Sequence, residues 1–74
     1  MLFAIDAKRT AELAAGTIAL AQGDAGAAFS FARRASELRH GADSSRLAAA
    51  AALLRRDFDA AWKEYRRARS LSGG

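Results

Sequence analysis

Residues 57–69, DFDAAWKEYRRAR, decide the fold of this 74-residue chain. Phe58, Ala61, Trp62, Tyr65, Ala68 and, just beyond, Leu71 recur at three- and four-residue spacings, the helical period. The segment between them is rich in strong helix formers and holds the chain's only Trp and only Tyr. Asp57 stands where a side chain can accept from the free amides of a first turn, and Asp59 and Lys63 are spaced as an i,i+4 ion pair. The stretch predicts a helix from Phe58 to Leu71, with Ser72-Gly73-Gly74 fraying. It is also a second statement. Asp24 and Asp57, Ala28 and Ala61, Arg33 and Arg66, Arg34 and Arg67, Ala35 and Ala68, and Leu38 and Leu71 all recur at a separation of 33, so residues 27–36 are its earlier copy.

Working outward, the earlier copy predicts a helix from Ala25 to Arg39, with Ala25, Ala28, Phe29, Ala32, Ala35 and Leu38 as its apolar stripe and Phe31 off it. Gly23 can take the left-handed conformation that closes the preceding helix, and Asp24 caps this one. His40-Gly41 stops it. Asp43-Ser44-Ser45 is a further capping cluster, and a helix follows from Ser44 to Arg55 with Leu47, Ala48, Ala51 and Leu54 on one side. At the front, Asp6 reads as the cap of a helix from Ala7 to Gln22, after an apolar segment, residues 1–5. Its stripe is Leu13, Gly16, Leu20 beside Ala14, Ile18, Ala21. Lys8 with Glu12 and Arg33 with Glu37 are further i,i+4 pairs. Four of the five Asp residues thus stand at expected helix starts. The fold class is all-α: four helices, antiparallel because their loops are short. They form one domain of two helical hairpins, 6–41 and 42–74. A plain four-helix bundle is the alternative.

Composition sets limits. The chain has no Cys, which excludes disulfides and cysteine metal sites, and no Pro. Its apolar residues are chiefly Ala, so helices can approach closely while each buries little area. The net charge is +4, mildly basic, which favours encounter with acidic partners. MLFAID lacks the basic start of a secretory signal. The longest apolar run elsewhere, Leu47–Leu54, is far short of the roughly twenty residues a membrane span requires. A cytoplasmic protein without a membrane span is expected.

With Gly16, Gln22-Gly23-Asp24, Ala28, Ala35 and Leu38 in one half, and Ala49, Arg56-Asp57-Phe58-Asp59, Ala61, Tyr65, Ala68 and Leu71 in the other, the chain resembles a tandem of tetratricopeptide repeats over about residues 9–74. The resemblance implies close helix crossings at Gly16 with Ala28 and at Ala49 with Ala61, where only small residues let helix axes approach. The sequence departs from the pattern in three ways. Glu12 and Ser45 stand where a large aromatic is usual, Arg56 replaces the second turn Gly, and Gly41 stands in for a closing Pro. Two repeats are also fewer than the three that such stacks generally require.

No site for chemistry is evident, and no cofactor is expected. His40 is the only His and lacks a ligand set. Ser30, Ser36 and Ser44 have no activating base, and Gly23-Asp24-Ala25-Gly26 puts an acid where a phosphate would sit. Three interaction surfaces are candidates. In a repeat stack Phe58 and Trp62 face a third repeat that this chain does not supply, whereas Ala25 and Phe29 have the third helix to cover them. Phe58 and Trp62 are therefore docking candidates, and Phe29, the first-half counterpart of Trp62, is the third. The cover would be a second copy, another protein, or Leu2, Phe3 and Ile5 of a neighbouring chain. The plainer reading turns Trp62 inward. The face made by the first helix of each repeat offers a peptide groove of Leu13, Thr17, Leu20, Arg46, Ala50, Leu53 and Leu54, unless those leucines are simply core. Arg33, Arg34, Lys63, Arg66 and Arg67 fall on outer helix sides and could meet phosphate, although Glu37, Asp59 and Glu64 are interleaved and a solvated face is the plainer reading. The expected role is a non-catalytic protein–protein interaction or scaffold module, a homo-oligomer or part of a larger helical assembly. The alternative is a small basic nucleic-acid-binding protein.

Overall fold

In the computed structural model, which describes residues 2–71, the chain forms four α-helices. They are α1 (Leu2–Ala21), α2 (Ala25–Leu38), α3 (Ala42–Leu54) and α4 (Phe58–Leu71). The side chains of Leu2 and Phe3, and the fraying expected of Ser72-Gly73-Gly74, lie outside the described residues. No helix among the described residues is long and apolar enough to cross a membrane.

The two hairpin turns share their closing bonds at an offset of 33. The Gly23 amide donates to the Leu20 carbonyl at 3.0 Å and Asp24 to Ala19 at 2.8 Å. Arg56 donates to Leu53 at 2.9 Å and Asp57 to Ala52 at 2.9 Å. This pattern closes a helix with one left-handed residue. Gly23 supplies it at φ 80°, and Arg56 adopts it at φ 62° despite its side chain. Asp24 then accepts from the Ala27 amide at 3.0 Å and Asp57 from the Ala60 amide at 3.2 Å, so both expected caps of the second helices are made. With turns this tight, α2 returns along α1 and α4 along α3 as helical hairpins.

The other two caps differ from expectation. α1 begins at Leu2, because nothing between Leu2 and Ala7 breaks a helix, and Asp6 lies inside it with its carboxylate 3.2 Å from the Arg39 guanidinium. α3 begins at Ala42 with Gly41 as its cap residue, so Asp43 falls in the first turn. The expected i,i+4 pairs are also replaced. Glu12 lies 3.9 Å from Arg34 across the α1–α2 hairpin, and Glu64 pairs with Arg67 at 3.5 Å.

The interior is almost entirely alanine. Ala19, Ala28, Ala32, Ala35, Ala48, Ala49, Ala51, Ala52, Ala61 and Ala68 are buried, and among the described residues Leu47 is the one large apolar side chain buried with them. Gly16 allows the closest approach. A Cβ built there would lie 2.6 Å from Leu47 Cδ2, 3.1 Å from Phe31 Cβ and 3.4 Å from the Ala28 carbonyl oxygen, which places the crossing with α2 at Ala28. The off-stripe Phe31 thereby has its place, packed against the Ala19–Ala28–Ala51 cluster. Ala14, Ile18 and Ala21, expected on the inner stripe of α1, are exposed. Their side of α1 has no helix against it.

α1 packs on α2, α2 on α3, α3 on α4, with a smaller α1–α3 contact; among the described residues α4 meets only α3. The helices therefore form an open row with extents of 37 × 30 × 15 Å rather than a closed ring. α3 is the inner element, buried on two sides, which is why Ser44, Ser45, Leu47, Ala48, Ala49, Ala51 and Ala52 are all covered.

Candidate interaction surface

The open row leaves one face of its last hairpin without a neighbour. Trp62 is 61% exposed, Phe58 64%, Leu53 54% and Tyr65 50%. These four, with Ala49 and Ala61 at the base, line an apolar hollow of about 220 Å³. The Trp62 and Tyr65 rings stack with centroids 6.2 Å apart and planes at 20°, so the face is a preformed aromatic shelf. Arg66 and Arg69 flank it. Two of the three docking candidates lie on this face. The third, Phe29, is half-buried between the two core clusters. Leu53, a residue of the expected peptide groove, and Tyr65, from the apolar stripe of the fourth helix, both lie on this face. The 3.6-residue period marks an apolar stripe but not which part of it a neighbouring helix covers.

The expected peptide groove is divided. Leu13 and Leu20 pack into the cluster of Ala32, Leu47 and Ala48, because that side of α1 faces α2 and α3. Ala50 is half-buried, while Thr17 is exposed and donates its hydroxyl to the Leu13 carbonyl at 2.8 Å. Leu53 belongs to the aromatic shelf, Leu54 is exposed, and Arg46 lines a separate hollow with Arg9, Arg39 and His40.

The basic stripe is divided too. Arg33 and Arg67 line one cleft with His40 and the acids Glu37 and Glu64. Arg34 lies on another side, its guanidinium 5.4 Å from the Phe31 ring centroid, and Arg66 stands by the shelf. Lys63 is exposed. Consecutive helical residues point about 100° apart, so paired arginines cannot share one line. Among the described residues no group of three or more His, Cys, Asp or Glu could hold a metal ion.

One polar cluster was not anticipated. Arg9, 7% exposed in its side chain, reaches from α1 to the α2–α3 connection. Its Nε donates to the Arg39 carbonyl at 2.8 Å, and Nη1 and Nη2 donate to the two Asp43 carboxylate oxygens at 3.0 and 2.5 Å. Ser44 lies beneath, donating to the Gly41 carbonyl at 3.0 Å and accepting from the Ser36 hydroxyl at 2.8 Å. Gly41 leaves the space, since a Cβ there would collide with Arg9 Nη2 and lie 2.8 Å from Asp43 Oδ1. The fork-to-fork bond holds the Asp43 carboxyl below its ordinary range, and the same bond raises the Arg9 guanidinium, both against the opposing effect of burial. The cluster joins the first hairpin to the second. A sequence signal was present: Arg9 lies four residues before Leu13 and seven before Gly16, on the inner row of α1.

Comparison with protein-family models, with curated proteins and with solved structures finds no match to this chain.

Proposed function

We propose that this chain is a non-catalytic interaction module built as two tetratricopeptide-like hairpins, which self-associates or extends a larger helical-repeat assembly. The observation that carries this reading is the contiguous exposed face of Leu53, Phe58, Trp62 and Tyr65. Large apolar side chains gathered on one side of a small protein signal a docking surface. Support for the repeat comes from burial at the 33-residue offset. Gly16 and Ala49, Ala19 and Ala52, Ala28 and Ala61, and Ala35 and Ala68 are buried in both halves, and the two turns share their hydrogen bonds. The helix order, in which each helix packs on the next, is that of a stack left open at its end.

Molar mass by light scattering, from micromolar to millimolar chain, tests the proposal. The wild type is expected to gain mass with concentration and Trp62→Ala to stay at the monomer mass with its helicity intact. Monomers of equal stability in both cases would sink it.

A further inference from the structure

We infer that copies of the chain join head to tail: the shelf of Leu53, Trp62 and Tyr65 on one copy seats against the outer face of α1, at Ala11, Ala14 and Ile18, on the next. The inference rests on the interaction-module reading and names the partner as a second copy and the surface that receives it.

The template is the junction inside the molecule. There α3 presents Leu47, Ala48 and Ala51 to Phe29 and Ala32 of α2, with Leu20 of α1 alongside. Shifted forward by 33, Leu20, Phe29 and Ala32 become Leu53, Trp62 and Tyr65, which are exposed. Shifted back by 33, Ser44, Leu47, Ala48 and Ala51 become Ala11, Ala14, Ala15 and Ile18. Of these Ala11, Ala14 and Ile18 are exposed and Ala15 is half-buried. The two halves of one junction thus lie uncovered at opposite ends of the row, and joining them continues an interface the molecule already makes.

The shelf is bulkier than its internal counterpart, with Trp for Phe29 and Tyr for Ala32, and the receiving face moves its bulk from the centre to one end, with Ala14 for Leu47 and Ile18 for Ala51. The four receiving positions carry no charge. Pairing the shelf with itself would instead bring Arg66 of both copies to one apolar contact, a like-charge arrangement. A head-to-tail contact is heterologous, so the assembly grows beyond two.

The joint is weak by its area and its lack of a pin. At their observed exposures Leu53, Trp62 and Tyr65 offer about 300 Å² per side, given about 150–250 Å² for a whole aromatic side chain. That is below the roughly 800 Å² per partner of a standard stable interface. The Arg9–Asp43 bond that locks the internal junction has no counterpart between copies, since the shifted positions are Ala42 and Thr10. Growth with concentration into the millimolar range is therefore expected, not a constant dimer.

Complementation between two blocked variants tests this. Trp62→Glu removes the shelf; Ala14→Glu with Ile18→Glu removes the receiving face. All three positions are exposed, and circular dichroism checks helicity, with Tyr65→Glu as an independent block of the shelf. Each variant alone is expected to be monomeric. An equimolar mixture is expected to reach about twice the 7.8 kDa chain mass and grow no further, because it has one intact joint and two dead ends. If the α1 variant still assembles while Trp62→Glu does not, the head-to-tail inference is overturned and the docking shelf stands. A wild type that stays monomeric to millimolar concentration, as both variants do, overturns the shelf reading as well.

Discussion

Arg56 and Arg9 show two uses of an arginine where another residue type is the ready expectation. Arg56 holds the left-handed turn position that Gly23 holds in the first hairpin, at φ 62°. A side chain there is disfavoured by about 1–2 kcal/mol. Arg56→Gly is therefore expected to stabilise the protein by about 1 kcal/mol, raising Tm by about 4–8 °C for a chain of this size, and a thermal melt checks it. A lower Tm would mean that the Arg56 side chain makes up for its backbone. Arg9 is instead a buried donor set matched to Asp43. Because the Asp43 carboxyl lies below its ordinary value of about 3.9 in the folded chain, its contribution is present above that pH and fades as pH falls through the depressed value. Asp43 is 56% exposed in its side chain, so solvent screening tempers the gain. Asp43→Asn is expected to lower stability by about 1 kcal/mol at pH 7, below the roughly 1.5–3 kcal/mol of hydrogen bonds to charged groups because of that exposure. Its melts should converge on wild type as pH falls below about 3.9 and through the depressed value. A gap that persists at the acid end of the series would point to a packing loss. The Arg9 cluster could have been suspected from a charge on an inner helical row, but its partner is 34 residues away and only the return of α2 brings them together.

At the scale of the helix, period and environment part company. α4 carries a full apolar stripe in its sequence, yet only Ala61 and Ala68 of it are buried, because α3 covers one edge and nothing covers the other. α3 looks nearly featureless from 47 to 54, and it is the most enclosed helix because all three other helices pack against it. Its contact with α1 depends on Gly16. The helix propensity of Ala favours Gly16→Ala by about 1 kcal/mol, whereas crowding of a filled core costs about 1–3 kcal/mol. With Leu47 Cδ2 only 2.6 Å from the new Cβ and Phe31 Cβ at 3.1 Å, the second effect wins and a net loss is expected. In a Leu47→Ala background, itself destabilised by about 2–5 kcal/mol, the same change should become favourable. Denaturant titration of the four chains gives the coupling; a loss from Gly16→Ala in both backgrounds would place the crowding at Phe31 instead.

The whole molecule is a short row of helices with an alanine interior and a bulky, uncovered end. Three of its large aromatics, Phe58, Trp62 and Tyr65, are spent on the surface, so its isolated stability is small for its length. Anything that covers the shelf binds only the folded chain and adds to its stability by mass action. Tm is therefore expected to rise with protein concentration in the wild type and to be independent of it in Trp62→Ala, read by calorimetry at concentrations spanning a hundredfold. Equal concentration dependence in the two would locate association elsewhere. The sequence by itself determined the all-α class, the bounds of α2 and α4 to within one residue, the Asp24 and Asp57 caps and the 33-residue offset. Each of these is written in local terms: side-chain period, capping chemistry and turn residues act within a few positions of the chain. Only the tertiary structure decided that Leu13 and Leu20 go inward while Leu53 goes outward, that the paired arginines part, and that Arg9 meets Asp43. Those depend on which face of a helix another helix covers, and an alanine-rich sequence leaves that choice open because its faces differ so little in size.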